Sequence, residues 1–329
     1  MTDTLKRMSE IESTRETIRV GTRDSKLARL QTEVVVKRLQ ASFPQLSIDI
    51  VPLTTHGDKI VDRPIAALGG RGVFVKELEE ALIDGEVDLV VHSLKDLPTD
   101  LPDGLVLAAV LDRADPRDVM LSREASSFTE LKPKSKVATS SRRRAGQLLA
   151  VRPDVEFIDI RGNIPTRVRK FDEGYCDAII LAAAGLQRLG LEERISEYFP
   201  PHVLTPAAGQ GALAVECRAG DAGIFSLLEK LDDAKTRKEV LCERAFLDRL
   251  GSGCSVPVGA LAKAEDDTLS LTGCIASLDG KKILRREKRG NIEAASEFGV
   301  ALAEELLALG GEAILAVLRG SAPNVISAP

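Results

Sequence analysis

In this 329-residue chain, arginine, lysine and hydroxyl side chains recur just beyond short apolar runs that read as β-strands. Ile18–Thr22 is followed by Arg23 and Ser25, and Val87–Val91 by His92, Ser93, Lys95 and Asp96. Lys136–Ala138 leads to Thr139, Ser140, Ser141 and the triplet Arg142-Arg143-Arg144. Glu156–Ile160 leads to Arg161 and Asn163, and Asp177–Leu181 to Gly185 and Arg188. Ligands of open parallel sheets bind beyond the carboxyl ends of the strands, so these ends would gather cations around one ligand. Guanidinium forks suit planar carboxylates in bidentate pairs. Helices starting at Ser25 and Ser141 would add free N–H groups, which favour anions. The pattern predicts a site for a polycarboxylate or polyphosphate between two α/β units. Polyphosphate is the weaker choice, because the chain has no Walker-type phosphate loop.

Asp96 is the one carboxylate in this cationic set. It reads either as a helix cap or ion-pair partner, or as an acid, a base or a stabiliser of a cationic intermediate. Neighbouring cations keep a carboxylate ionised, which favours cation stabilisation. Cys254 lies in Gly251-Ser252-Gly253-Cys254-Ser255-Val256-Pro257. Most cysteines are inert small hydrophobes, and the settings of Cys176, Cys217, Cys242 and Cys274 suit that description. A glycine-rich loop instead leaves the Cys254 thiol accessible, and accessible thiolates are nucleophiles. His56, His92 and His202 are too scattered for a metal site, and none is spaced to serve Cys254. No metal is expected, and a protease-like Cys–His pair has little support.

These residues need elements to position them. Ser25 is placed to cap a helix bearing Leu27, Leu30, Val34 and Leu39 on one face. Ser47–Leu53 reads as a second strand and Val73–Asp84 as a helix. Helical patterns at Arg142–Val151 and Thr166–Phe171 separate the strands of a second unit that starts near Pro116. Such alternation predicts mostly parallel sheets with helices on both faces. After a helix at Lys235–Arg249, the stretches Val258–Ala264, Thr268–Ser277 and Lys282–Arg289 read as an antiparallel meander. An amphipathic helix at Ile292–Leu309 completes a smaller α+β domain. Thr54–Gly72, with Gly57, Gly69, Gly70, Arg71 and Gly72, has little periodicity and reads as a mobile lid.

Composition narrows the function classes. Forty-five Lys and Arg against 50 Asp and Glu give a net charge of −5. Between Lys132 and Lys170, however, eleven bases face three acids, which calls for an anionic partner or a solvated surface. Aromatics are 3% with no Trp, which argues against stacking on bases and against a nucleic-acid partner. The longest apolar-or-small run, Ala178–Leu186, is far short of the roughly 20 residues that span a bilayer. Five cysteines without a CxxC pair fit reduced thiols in a cytoplasm. Residues 1–16 carry Asp3, Glu10, Glu12 and Glu16 and read as a disordered tail rather than a signal segment.

Seven motifs in order carry a resemblance: Gly21-Thr22-Arg23-Asp24-Ser25, Gly69-Gly70-Arg71-Gly72-Val73-Phe74-Val75-Lys76-Glu77, Val91-His92-Ser93-Leu94-Lys95-Asp96-Leu97-Pro98, Thr139-Ser140-Ser141-Arg142-Arg143-Arg144, Arg161-Gly162-Asn163, Pro206-Ala207-Ala208-Gly209-Gln210-Gly211 and Gly253-Cys254. Together they resemble the porphobilinogen deaminase (hydroxymethylbilane synthase) family. The resemblance implies a dipyrromethane cofactor joined by a thioether to Cys254. It also implies stepwise condensation of four porphobilinogen units, with release of ammonia and then of the linear tetrapyrrole hydroxymethylbilane. Asp96 matches the family's catalytic aspartate. Ser93, Lys95, Thr139, Ser141, Arg143 and Arg144 match its cofactor-binding positions. Arg23, Ser25, Gln31, Arg161, Asn163, Arg167 and Arg188 match positions linked to incoming substrate. The pyrrole acetates and propionates supply a chemical reason for an arginine-rich cleft.

The implied fold is two periplasmic-binding-protein-like, doubly wound α/β domains plus a small C-terminal α+β domain with an antiparallel sheet. Expected boundaries are 17–112 with 211–228 for domain 1, 116–205 for domain 2 and 233–325 for domain 3. Porphobilinogen is the expected partner of a monomeric chain, with neither nucleic acid nor membrane. Arg71 for Lys, Ala67 for Lys, Arg142 for Leu and Lys26 for Pro depart from common family residues. The competing reading is a non-enzymatic, two-lobed anion-binding protein.

Overall fold

The computed structural model describes residues 17–55, 72, 74–251 and 256–319. The expected tail, the lid residues Gly57, Gly69, Gly70 and Arg71, the anchor Cys254 and the stretch 320–325 lie outside the described residues. The chain groups into two compact units: Met1–Ile60, Gly72–Arg113 and Ala212–Arg237 in the first, Val61–Arg71, Ala114–Gly211 and Lys238–Pro329 in the second.

The first unit is built on β1 (Ile18–Arg23), β2 (Ile48–Leu53), β3 (Leu89–Ser93), β4 (Leu105–Val110) and β10 (Leu213–Arg218), in the order β2-β1-β3-β10-β4. β1 runs parallel to β2 and β3, whereas β10 runs antiparallel to β3 and β4. Helix α1 (Lys26–Ser42) covers one face, burying Val35 and Leu39 against Val20, Leu89, Val91 and Val215. Helix α2 (Lys76–Ile83) covers the other, with Leu78 and Leu82 against Val87 and Val90. Ser25 caps α1 as expected, but the buried face is Ala28, Gln31, Thr32, Val35 and Leu39. Leu27, Leu30 and Val34 are only partly buried. Periodicity alone placed the apolar stripe one residue off, because the buried face includes two polar residues, of which Gln31 meets a polar partner in the interior. Gly21 lets β1 approach β3, since a Cβ there would lie 2.7 Å from Val90 Cγ1.

The second unit repeats this sheet plan. β5 (Asp118–Ser122), β6 (Lys136–Ala138), β7 (Glu156–Ile158), β8 (Ala178–Ala182) and β9 (Glu197–Tyr198) lie in the order β7-β6-β8-β5-β9. β6 is parallel to β7 and β8, and β5 is antiparallel to β8 and β9. Helices α3 (Arg142–Leu149), α4 (Ile164–Asp172) and α5 (Ala183–Arg188) follow β6, β7 and β8. In each sheet one strand runs against the rest, so the mostly parallel expectation holds with an antiparallel strand inserted beside the third. β4, β5, β9 and β10 escaped the sequence reading.

The same unit holds the C-terminal meander β11 (Val258–Glu265), β12 (Thr268–Ala276) and β13 (Ile283–Asn291). After α6 (Ala222–Leu228), α7 (Ala234–Arg249) leads into it, and α8 (Ala295–Leu306) and α9 (Glu312–Arg319) follow it. Phe246, Leu269, Leu271, Ile275, Leu302 and Leu306 form its core. The helix expected over Ile292–Leu309 forms as a 3₁₀ turn at Ile292–Ala294 followed by α8, and a kink at Gly310, just past its expected end, separates it from α9. Residues Leu307–Gly311 form a kink with Gly310 at φ 106°, a conformation only glycine adopts without strain.

Candidate active site

In the first unit, β3 delivers Ser93 and then a 3₁₀ turn, Leu94–Asp96. Leu94 is buried and anchors the turn; its N–H donates to Ala212 O at 3.1 Å, and the Leu97 N–H closes on Leu94 O at 3.1 Å. Lys95 and Asp96 are half-buried. Gln31 is 4% exposed, and its Nε2 donates to Ser93 Oγ at 2.8 Å. Gln31 therefore holds Ser93 from inside the unit. Neighbouring β1 ends at Arg23, whose guanidinium lies 4.2 Å from the Phe74 ring centroid. Ser25 Oγ accepts from the Ala28 N–H at 3.2 Å. Arg23, Ser25, Ser93, Lys95 and Asp96 thus stand at the carboxyl ends of two paired parallel strands.

In the second unit, β6 ends in buried Thr139, whose Oγ1 accepts from the Ser141 N–H at 3.2 Å. Ser140 Oγ donates to Ile160 O at 2.5 Å, and Ser141 caps α3 by accepting from the Arg144 N–H at 3.4 Å. Arg143 and Arg144 turn inward, each 6% exposed. Arg143 Nη1 donates to Asp118 Oδ2 at 2.6 Å and to Thr205 O at 2.8 Å. Arg144 donates from Nε to Asp118 Oδ1 at 2.9 Å and from Nη1 to Ile180 O at 3.0 Å. Gln210 Nε2 adds a bond to Asp118 Oδ1 at 3.0 Å. Burial alone would raise the Asp118 carboxyl; the Arg143 and Arg144 charges, with the Arg143 and Gln210 hydrogen bonds, hold it well below the usual carboxylate range. These two arginines are bonded into the interior of their unit, where two cations share one carboxylate.

Beyond β7, Gly162 takes φ +110°, which turns the chain so that Asn163 can cap α4. Asn163 Oδ1 accepts from the Thr166 N–H at 2.9 Å, and Arg167 Nε donates to Gly162 O at 2.7 Å. Arg161 Nε is shut off from solvent and has no hydrogen-bond partner among the described residues. Arg188, in the last turn of α5, donates from Nη2 to Gly211 O at 2.9 Å. A buried guanidinium N–H without an acceptor is costly alone and calls for an anion, so the strand-end residues fit a carboxylate-bearing cofactor or substrate.

Sequence reasoning passed over Asp118, Gln147, Thr205 and Arg285. Arg285 Nη2 donates to Gln147 Oε1 at 2.8 Å and Arg285 Nε to Thr205 Oγ1 at 3.0 Å, which joins β13 to α3. A charged residue opening the apolar strand Asp118–Ser122 was the available signal. The thiols of Cys176, Cys217, Cys242 and Cys274 are all buried. Burial pushes Cys176 and Cys242 up to about 12 and Cys217 up to about 11, and raises Cys274 as well. None of the four is a thiolate at neutral pH. Among the described residues no His, Cys, Asp and Glu cluster could hold a metal. No helix described is long and apolar enough to cross a membrane.

Known proteins resemble this chain in sequence. Residues 18–226 match the family model described as "Porphobilinogen deaminase, dipyromethane cofactor binding domain", and residues 237–308 match the family's C-terminal domain. The porphobilinogen deaminase of Roseiflexus castenholzii is 51% identical over 302 residues, 92% of this chain and 99% of the relative. That of Brevibacillus brevis is 48% identical over 303 residues, 92% of this chain and 97% of the relative. With both domains matched and near-full-length relatives at about half identity, the chain belongs to the porphobilinogen deaminase family.

Proposed function

We propose that this chain joins four porphobilinogen molecules head to tail on a dipyrromethane primer held by Cys254, with Asp96 as the catalytic carboxylate. As a family member it is a transferase of tetrapyrrole biosynthesis, and its larger matched region is the dipyrromethane cofactor-binding domain. When bound, the cofactor supplies an electron-rich pyrrole carbon as the starting acceptor. Loss of ammonia from porphobilinogen breaks the C–N bond and leaves an electron-poor methylene-pyrrole cation. The Asp96 carboxylate, half-buried in the Leu94–Asp96 turn, is the group to stabilise that charge. Ser93 and Lys95 on the same strand end, with Thr139 and Ser141 on β6 and α3, would hold the cofactor's polar edge. Arg23, Arg161, Arg167 and Arg188 would take substrate acetates and propionates. Arg161 carries this reading furthest, because its buried Nε lacks an acceptor among the described residues.

Four cysteines that are buried and unionised leave Cys254 as the attachment point that this reading needs. Free thiols also support a reducing, cytoplasmic setting. The binding-protein alternative gives way to the family assignment. Intact mass and an aldehyde reagent for pyrroles test the proposal. The purified protein should carry an adduct of two pyrrole units, absent from Cys254→Ser and present in the other four Cys→Ser variants. Asp96→Asn should keep the adduct and lose turnover by about 10²–10⁴-fold. Wild-type turnover in Asp96→Asn, or an adduct on another cysteine, would overturn these roles.

A further inference from the structure

Directly behind the Leu94–Asp96 turn lies a cluster of ionisable groups that the proposed chemistry does not use. His92 precedes Ser93 on β3 and points to the α2 side of the sheet with Val90. β10 pairs Ala214 with His92 and Glu216 with Val90, so Glu216 is the diagonal neighbour of His92 on that face. His92 Nε2 lies 2.7 Å from Glu216 Oε2, with side chains 2% and 0% exposed. Glu79 of α2 is itself buried and lies within electrostatic reach of Glu216 and His92. The contact is close without being aligned: His92 Nε2, both Glu216 oxygens and Glu79 Oε1 have no hydrogen-bond partner among the described residues.

Buried polar groups this poorly satisfied cost stability relative to apolar residues of the same shape. Val90 and Leu78 show that the surrounding face packs well with apolar side chains. The cluster's place supplies its use. The two faces of β3 are gripped at its last two residues, by Gln31 on Ser93 from the α1 side and by Glu216 on His92 from the α2 side. The turn that bears Lys95 and Asp96 begins at the next residue.

We propose that the buried Glu79–His92–Glu216 cluster positions the Ser93–Asp96 turn, clamping β3 to β10 and α2 so that Asp96 leaves the strand in the direction the reaction needs. The inference rests on the reading of Asp96 as the catalytic carboxylate. These three are positioning residues, since their carboxyl and imidazole groups are buried on the α2 side of the sheet. A displaced but intact turn would still bind substrate while meeting its developing charge badly. The expected signature is therefore a fall in kcat with little change in KM.

The experiment uses the full chain loaded with its dipyrromethane adduct, checked by intact mass. His92→Phe keeps an aromatic ring and removes the contact of Nε2 with Glu216. It should fold, carry the adduct, keep KM within about twofold and lose kcat by about 10–100-fold. Glu216→Gln, which keeps the shape and replaces the carboxyl group by an amide, should move kcat the same way, and it carries the test alone if His92→Phe does not accumulate folded. Unchanged kcat in a folded, loaded variant, or a rise in KM that accounts for the whole loss, overturns the proposal. Asp96→Asn is assayed alongside. If it retains full turnover, the Asp96 role fails; if it loses turnover while Glu216→Gln and His92→Phe do not, only the positioning role fails.

Discussion

Asp118→Asn separates two roles for Arg143 and Arg144, because it touches their partner and leaves both arginines in place. Asp118 is 0% exposed and receives donors from Arg143, Arg144 and Gln210 at 2.6–3.2 Å. Asn keeps the volume, loses the charge and turns an N–H₂ group towards two guanidinium ions. Breaking a buried pair from one side costs about 3–5 kcal/mol, because the surviving charge stays buried without compensation. With an m-value near about 3 kcal/mol per molar urea, the unfolding midpoint should fall by about 1–1.7 M.

The measurement is urea unfolding followed by circular dichroism, in a Cys254→Ser background so that bound cofactor contributes nothing. The pH dependence adds a second readout. The Asp118 carboxyl is held below its unfolded value by the two guanidinium charges. Its stabilisation is therefore complete above about pH 4 and is lost as pH falls below that. Asp118→Asn should lack this acid-side decline. If the midpoint moved by less than about 0.3 M, corresponding to under about 1 kcal/mol, the pair would not be a structural anchor. Arg143 and Arg144 would then act through the cofactor alone, as resemblance implied.

Two further outcomes follow from the same geometry. Glu79 is pushed up to about 7 by burial first and by the Glu216 charge second. The folded chain therefore holds a proton there that the unfolded chain releases near pH 4.5, and stability should fall as pH rises from about 4.5 to about 7. Glu79→Gln should flatten that slope in pH-dependent thermal unfolding; an unchanged slope would assign it to other groups. Arg161→Leu removes the guanidinium with the orphaned Nε, and should leave unfolding within about 0.5 kcal/mol while impairing chain elongation after adduct formation. A variant that elongates normally would remove Arg161 from substrate binding.

Much of the chemistry was legible along the chain because its order is local. A strand is short, and the residue after its last apolar position lies at the sheet's carboxyl edge wherever the strand sits in the fold. Arg23, Ser93, Lys95, Asp96, Thr139, Ser141, Arg161 and Asn163 were found this way, and the Ser25 and Ser141 caps follow from side chains reaching N–H groups three residues on. The meander at Val258–Asn291 was legible for the same reason, since its partners are consecutive.

Only tertiary structure decided the roles that depend on distant partners. An arginine's spacing is the same whether its guanidinium meets a ligand or a buried carboxylate. Asp118 lies 25 residues before Arg143, and pairing across a sheet drew both arginines inward. β10 enters the first sheet more than a hundred residues after β3, and that insertion brings Glu216 to His92. Gln31 shows the same dependence: helical spacing put it beside the apolar stripe, and packing of α1 on β3 turned a polar residue into the inner support of Ser93. Local order follows from backbone hydrogen bonds a few residues apart, whereas the protonation and direction of a buried side chain are set by whichever strand the fold lays against it.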